Sequence, residues 1–378
     1  MKIGITGQSG FIGYHLTQLF LAKKAVIIPF KDEYFNNTSL FESFISQCDV
    51  IIHLAGINRH PDPNYIYFAN IELTQKLIST INNMGVKPVV IYASSLQEDL
   101  DNAYGKAKKE SRLLLSNWAK DHNSKFMGLI IPNVFGPFGK PFYNSFIATF
   151  CHQLVNGEEP DIEIDNHIQL IYVTSLANKI YDLVLSPVNI PRLVIQPDEI
   201  YSVSEILGKL KNYHNTYYRK RIVPSLSGIF DVNLFNTYRS FINPLDSYIS
   251  LDLHKDYRGN LYEVIKSMTS GQLFYSTTKP GITRGNHFHL RKIEKFCVIS
   301  GKGLILMRKV GTNEILEFPV NGDNPSVVDI PVLFTHNITN IGKDELITLF
   351  WSNEIFDPQD TDTWYEEVKI GNNTITNT

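Results

Sequence analysis

The first thirteen residues place the tightest limit on what this chain can fold into. An apolar run, Lys2-Ile3-Gly4-Ile5-Thr6, leads straight into Gly7-Gln8-Ser9-Gly10-Phe11-Ile12-Gly13, and apolar residues then recur with helical period from Phe11 to Leu21. A strand that turns through glycines into a helix brings bare backbone N–H groups to a helix N-terminus, where the dipole favours negative charge. Such a turn can cradle a pyrophosphate. Its place directly after a clean apolar strand favours a dinucleotide site over an ordinary structural turn.

Four more apolar runs follow, at 25–29, 50–55, 89–94 and 127–131, and helix-period segments separate them as far as about Tyr181. That alternation is the mark of βαβ units, so residues 1–245 are expected to form a doubly wound α/β Rossmann domain on a parallel sheet. Between about 187 and 242 the pattern becomes more polar, with helices expected at 204–213 and 230–241, as a small substrate-covering subdomain. After Asn243-Pro244 short β segments rich in aromatic and β-branched residues alternate with Gly, Pro, Asp and Asn. Residues 246–378 are therefore expected to form an all-β barrel or sandwich. Two domains also suit the length of 378 residues, which exceeds what one core usually serves.

With 43% hydrophobic residues, 19% charged residues and a net charge of -3, the chain has no basic excess for a polyanion, and nucleic acid is not an expected partner. No run of about 18 apolar residues occurs and the N-terminus lacks a charged leader, so no membrane association and a cytoplasmic location are expected. Cys48, Cys151 and Cys297 are far apart and sit among apolar residues, as reduced core thiols would.

Two constellations carry chemistry. The first is Tyr104-Gly105-Lys106-Ala107-Lys108, beyond Ser94 and Ser95 at the end of an apolar run. Residues four apart share a helix face, so the Lys108 ammonium is expected beside the Tyr104 hydroxyl, lowering its pKa and preparing it to exchange a proton with a carbonyl. After the second apolar run stands Lys31 rather than the acidic residue that would hold a ribose 2'-hydroxyl. A 2'-phosphate, and hence NADP rather than NAD, is favoured, with Arg59 a second candidate and Asp32 next door. The second constellation is His287-Phe288-His289, two imidazoles on one strand face, with Glu294 and His336 following. Three imidazoles and a carboxylate suit a divalent transition metal, zinc or another.

Over its first two thirds the chain resembles the extended short-chain dehydrogenase/reductase family, through Thr6-Gly7-x-x-Gly10-x-x-Gly13, His53-Leu54-Ala55-Gly56, Asn70, Tyr104-x-x-x-Lys108 and Pro132-Asn133-Val134-Phe135-Gly136. The resemblance implies Tyr104 as acid/base, Lys108 as its activator and cofactor-ribose ligand, and Ser95 as the hydroxyl that polarises the substrate carbonyl. It implies Gly7, Gly10, Phe11, Ile12, Gly13, Leu54 and Ala55 as cofactor contacts, and Asn133 near a sugar nucleotide's diphosphate. The loop from Ser95 to Tyr104 is shorter than the family's, so Ser94 or Gln97 could fill the serine role.

Gly281-x5-His287-x-His289-x4-Glu294-x6-Gly301 matches the first cupin motif in full, and Pro331-x-Leu333-x2-His336-x3-Asn340 resembles the second, with Leu333 in place of glycine. Residues 256–263, together with Arg284-Gly285-Asn286-His287-Phe288, resemble nucleotide-linked keto-sugar epimerases, which implies Arg258 and Arg284 as diphosphate ligands and His287 as a base. His287 is thus a metal ligand or a base. Nearly the whole chain resembles bifunctional capsular-polysaccharide enzymes in which a short-chain reductase is fused to a zinc cupin. That resemblance implies a homodimer and a UDP-linked 4-keto-6-deoxy-N-acetylhexosamine as substrate. It further implies carbon-3 epimerisation in the cupin, then NADPH reduction at carbon 4 to UDP-2-acetamido-2,6-dideoxy-L-talose.

Overall fold

The computed structural model describes residues 1–251, 254–256, 259–261, 264–268, 271–354 and 357–369. The chain divides into two compact units, Met1–Phe150 with Asp161–Ile206 and Cys151–Pro160 with Leu207–Thr378.

In the first unit β1 (Lys2–Thr6), α1 (Phe11–Ala22), β2 (Val26–Ile28), α2 (Thr38–Ser46), β3 (Val50–His53), α3 (Pro63–Met84), β4 (Val89–Ser95), α4 (Ala103–Asp121) and β5 (Phe126–Ile131) follow one another. Then come β6 (Asn133–Phe135), α5 (Phe146–Val155, assigned to the second unit from Cys151 on), β7 (His167–Tyr172), α6 (Val173–Leu185), β8 (Ile190–Val194) and β9 (Glu199–Ser202). Six strands form one sheet in the order β2-β1-β3-β4-β5-β8, every pair parallel. The expected Rossmann sheet is present. Its central strands read as unbroken apolar runs because both faces are covered: Ile3, Ile5, Val50, Ile51, Ile52, Val90, Ile91, Leu129 and Ile130 are each at most 2% exposed. The chain leaves β1 for β2 on one side and resumes at β3 on the other, so a crevice opens outside the carboxyl ends of β1 and β3.

Caps place the helices that matter. Asp62 accepts from the Asn64 N–H ahead of α3, with Pro63 at its first position and Gly85, at φ 62°, at its end. Asn102 accepts from the Gly105 N–H at 2.7 Å and starts α4 directly before Tyr104.

The second unit holds two five-stranded antiparallel sheets, the double-sheet architecture of a cupin. One runs Tyr248–Ser250, Ser326–Ile330, Glu294–Ser300, Leu346–Ser352, Gln272–Thr278. The other runs Ile315–Asn321, Lys302–Lys309, Phe334–Asn340, Thr283–Phe288, Trp364–Tyr365. The helices expected at 204–213 and 230–241 occur as Val203–Tyr213 and Ile229–Arg239. Of the stretch 187–242, residues up to 206 belong to the first unit and the rest to the second. The second helix is bound to the sheets by side chains: Asn236 donates to the Arg291 carbonyl at 2.8 Å, and Asp329 accepts from Arg239 at 2.5 Å. The compact division therefore falls before the compositional break near 245. Cys48, Cys151 and Cys297 are buried and free, and no described helix is long and apolar enough to cross a membrane.

Candidate functional site

A cleft of about 340 Å³ opens at the carboxyl ends of β1, β3 and β4. Its floor is the glycine turn. Gly7 has φ +70°, and a Cβ there would stand 3.0 Å from the Ala55 nitrogen; a Cβ on Gly13 would come within 2.2 Å of the Gly7 carbonyl oxygen. Only glycine lets α1 start this close to β1. Gly10 caps α1 with no side-chain hydrogen bond, which leaves the helix dipole's positive end to a ligand. Phe11, Ile12 and Leu54 also line the cleft, and the Leu54 and Ala55 N–H groups are pinned to the Thr6 carbonyl and hydroxyl at 3.2 and 3.4 Å. The lining includes Lys108 and Lys140 but no carboxylate, so the cleft favours anions.

Tyr104 and Lys108 come together as their spacing predicts. Lys108 is buried, with Nζ 4.5 Å from the centre of the Tyr92 ring and 5.9 Å from that of Tyr104. The expectation that Lys108 lowers the Tyr104 pKa is not met: burial pushes the Tyr104 hydroxyl up to about 12 and Lys108 down to about 7. Burial removes water from both groups, and that outweighs their proximity. Of the two serines, Ser94 donates to Glu98 at 2.8 Å, while Ser95 accepts from the Gln97 N–H at 3.2 Å and its hydroxyl proton has no acceptor among the described residues. Both serines and Asn133 line the cleft.

Lys31 lies on an exposed turn 3.6 Å from Glu33, outside the cleft lining, and Ser9 of the glycine turn donates to Asp32 at 3.2 Å. Arg59 spends Nη1 on the carbonyls of Phe142 and Tyr143, at 2.6 and 3.2 Å. That clasp holds a loop whose Lys140, Tyr143, Asn144 and Ser145 line the cleft and were not singled out from sequence as site residues. Lys140 Nζ sits 5.0 Å over the Tyr143 ring. The loop follows the Pro132–Gly136 motif, and no spacing rule marks it; its role depends on where the fold returns it.

In the second unit His287 and His336 are directly opposed on neighbouring strands, His289 lies two residues along, and Glu294 enters from the other sheet. One ligand atom from each of the four lies within 4.8 Å of the others. His289 Nδ1 stands 2.6 Å from the Asp362 carbonyl and His336 Nδ1 3.1 Å from the Phe334 carbonyl. A carbonyl can only accept, so each Nδ1 carries the proton and each Nε2 turns a lone pair inward. Both Nε2 atoms stand 3.2 Å from Glu294 Oε2, yet all three atoms are buried without a hydrogen bond among the described residues. Burial, with the neighbouring imidazoles, pushes His287 down to about 3 and keeps it neutral. Inward lone pairs facing one carboxylate fit a divalent metal. Leu333, where the motif usually has glycine, takes φ 58° and donates its N–H to the His289 carbonyl at 2.8 Å, so the turn keeps its form. Arg284 is an exposed residue whose Nε donates to Thr278 at 3.1 Å. Arg258 lies outside the described residues.

The first unit's sheet, glycine turn and Tyr–Lys helix define a nicotinamide-dependent oxidoreductase domain, and the antiparallel unit carries a metal-type donor set. Residues 3–192 match the NAD dependent epimerase/dehydratase family, and the chain belongs to that family. Residues 254–364 match the polysaccharide biosynthesis C-terminal domain. The chain is 34% identical over 373 residues, 96% of its length and 98% of the relative's, to a UDP-2-acetamido-2,6-beta-L-arabino-hexul-4-ose reductase of Pseudomonas aeruginosa. Among solved structures it is similar to the capsular polysaccharide assembling protein CapF from Staphylococcus aureus, at 34% identity and TM-score 0.59, covering 97% of this chain and all (100%) of that one. RMD from Pseudomonas aeruginosa, solved with NADPH, shares the fold alone, at 20% identity and TM-score 0.51 over 57% of this chain and 85% of its own.

Proposed function

We propose that the chain is a bifunctional nucleotide-sugar enzyme. The antiparallel unit epimerises carbon 3 of a UDP-2-acetamido-2,6-dideoxy-4-keto-hexose, and the first unit then reduces carbon 4, giving UDP-2-acetamido-2,6-dideoxy-L-talose for capsule or O-antigen synthesis. The observation that carries the reading is the convergence of Tyr104, Lys108 and Ser95 on one anion-favouring cleft beside the glycine turn, in a chain whose 34% identical relative is a UDP-keto-sugar reductase over nearly its full length.

When bound, the nicotinamide supplies hydride to the carbonyl carbon. The protein's own residues do the rest. Ser95, its proton uncommitted, donates a hydrogen bond to the keto oxygen, and Tyr104, protonated at neutral pH, gives that oxygen its proton as charge develops. Lys108 stabilises the phenolate left behind, and the backbone N–H groups at the start of α1 hold the cofactor pyrophosphate. Asn133 contacts the nucleotide diphosphate. NADPH is the cofactor, with Lys31 the residue that would meet its 2'-phosphate.

His287, His289, Glu294 and His336 would hold zinc or another divalent metal, which when bound polarises the keto oxygen and acidifies the proton at carbon 3. His287 is the least buried of the four, which also supports its acting as the base itself. Arg258 and Arg284 would take the diphosphate. Epimerisation comes first, since the carbonyl at carbon 4 acidifies its neighbour only until it is reduced. We further infer a cytoplasmic homodimer with no nucleic-acid or membrane partner.

The test is turnover of the UDP-4-keto sugar in deuterium oxide with NADPH or NADH, read by mass spectrometry. NADPH oxidation with deuterium at carbon 3 is expected. Reduction without deuterium would leave the antiparallel unit as a binding or dimerisation module, and no turnover would refute the substrate class.

A further inference from the structure

A buried charge cluster joins the end of β4 to α4, and the chemistry above makes no use of it. Glu98 sits in the 3-10 turn Leu96–Asp99 with its side chain 1% exposed. Its Oε2 accepts from Ser94 Oγ at 2.8 Å and Arg112 Nε at 2.9 Å; its Oε1 accepts from Arg112 Nη2 at 3.0 Å and Arg192 Nε at 3.1 Å. Arg112 also donates from Nη1 to the Pro191 carbonyl at 3.1 Å, so this carboxylate ties the serine-bearing strand end to α4 and β8. On α4 Tyr104, Lys108 and Arg112 recur every fourth residue and share a face. Grip on Arg112 therefore sets where that face stands against Ser94 and Ser95.

The cluster bears on charge as well as geometry. Among the described residues, the titratable groups that act on Lys108 are His53 from β3, Tyr92 from β4, Glu98 from the turn and Tyr104 from its own helix, with Arg112 one turn further along the same face. Burial holds His53 neutral at neutral pH and pushes Lys108 down, and Glu98 is the anion opposing the loss of the Lys108 charge. Ser94 has no free proton for a substrate, because Glu98 takes it.

We propose that Glu98 is a positioning residue of the reductase site, setting the Ser94–Ser95 strand end, with its own negative charge, against the Tyr104–Lys108 face of α4. This rests on the reductase reading. The full-length chain is compared with Glu98→Gln and with Glu98→Gln combined with Arg112→Gln, which leaves no unpaired buried guanidinium if the single variant fails to fold. Thermal melts establish folding, NADPH affinity is titrated by fluorescence from pH 6 to 9, and kcat and KM for the UDP-4-keto sugar are measured over the same range. In the folded variants kcat at pH 7 falls about 10- to 100-fold with KM within about 2-fold, and the alkaline limbs of both kcat and NADPH affinity move to lower pH. Limbs that stay in place overturn the proposal, even with a uniform loss of rate. If the parent chain reduces no keto sugar while the NADPH limb still moves, the reductase reading fails and the positioning role of Glu98 stands.

Discussion

Lys108 sits where an ordinary lysine would not remain charged. Its folded pKa of about 7 lies below the free value of 10.5, so below pH 7 the protein bears the full penalty of a buried ammonium. Between the two values stability rises with pH, because the unfolded chain binds more protons than the folded one. Lys108→Met should therefore raise the melting temperature of the cofactor-free protein at pH 6 to 7, by up to ~4 kcal/mol of stability, and lose that advantage near pH 10 while abolishing reduction. A calorimetric melt series across pH checks the sign. Tyr104→Phe should lower kcat by about 10²- to 10⁴-fold with NADPH affinity retained, read by steady-state oxidation and fluorescence titration. Sequence spacing brings these two side chains together but says nothing of the water that the fold removes around them.

At the scale of an element, α4 depends on Gly105. A Cβ there would stand 2.0 Å from the Gln97 carbonyl oxygen, so Gly105→Ala should push the helix off the 96–99 turn, destabilising the protein by about 2 kcal/mol or more and lowering kcat with it. Gly208, within the helix Val203–Tyr213, meets nothing within 4 Å, and Gly208→Ala should stabilise by about 0.5–1 kcal/mol. Urea unfolding of both variants separates the cases. Leu333→Gly sets two effects against each other: relief of about 1–2 kcal/mol from a left-handed residue, and loss of a side chain only 2% exposed, worth about 2–5 kcal/mol. Net destabilisation is expected, although glycine is what the motif usually carries.

For the whole molecule, the donor set predicts a response to metal. Withdrawal by dipicolinate should lower the thermal midpoint, and zinc should restore it, with about 4 kcal/mol at a thousandfold excess over Kd. His336→Ala should remove that response. An unchanged melt with and without metal would count against a metal centre in the antiparallel unit.

Sequence alone marked the five apolar runs that form β1 to β5, the glycine turn, the Tyr104–Lys108 face and the His287-x-His289 pair, since each is a matter of local period and spacing, whereas the fold brought Glu294 and His336 to that pair. Tertiary structure decided what depends on segments distant in the chain. It assigned Ser94 to Glu98, brought Lys140 and Tyr143 to the cleft, sent Arg59 to the Phe142 and Tyr143 carbonyls, and gathered 207–242 with the sheets through Asn236 and Arg239. It also set the charges, because desolvation depends on everything packed around a group, and no window of sequence contains that.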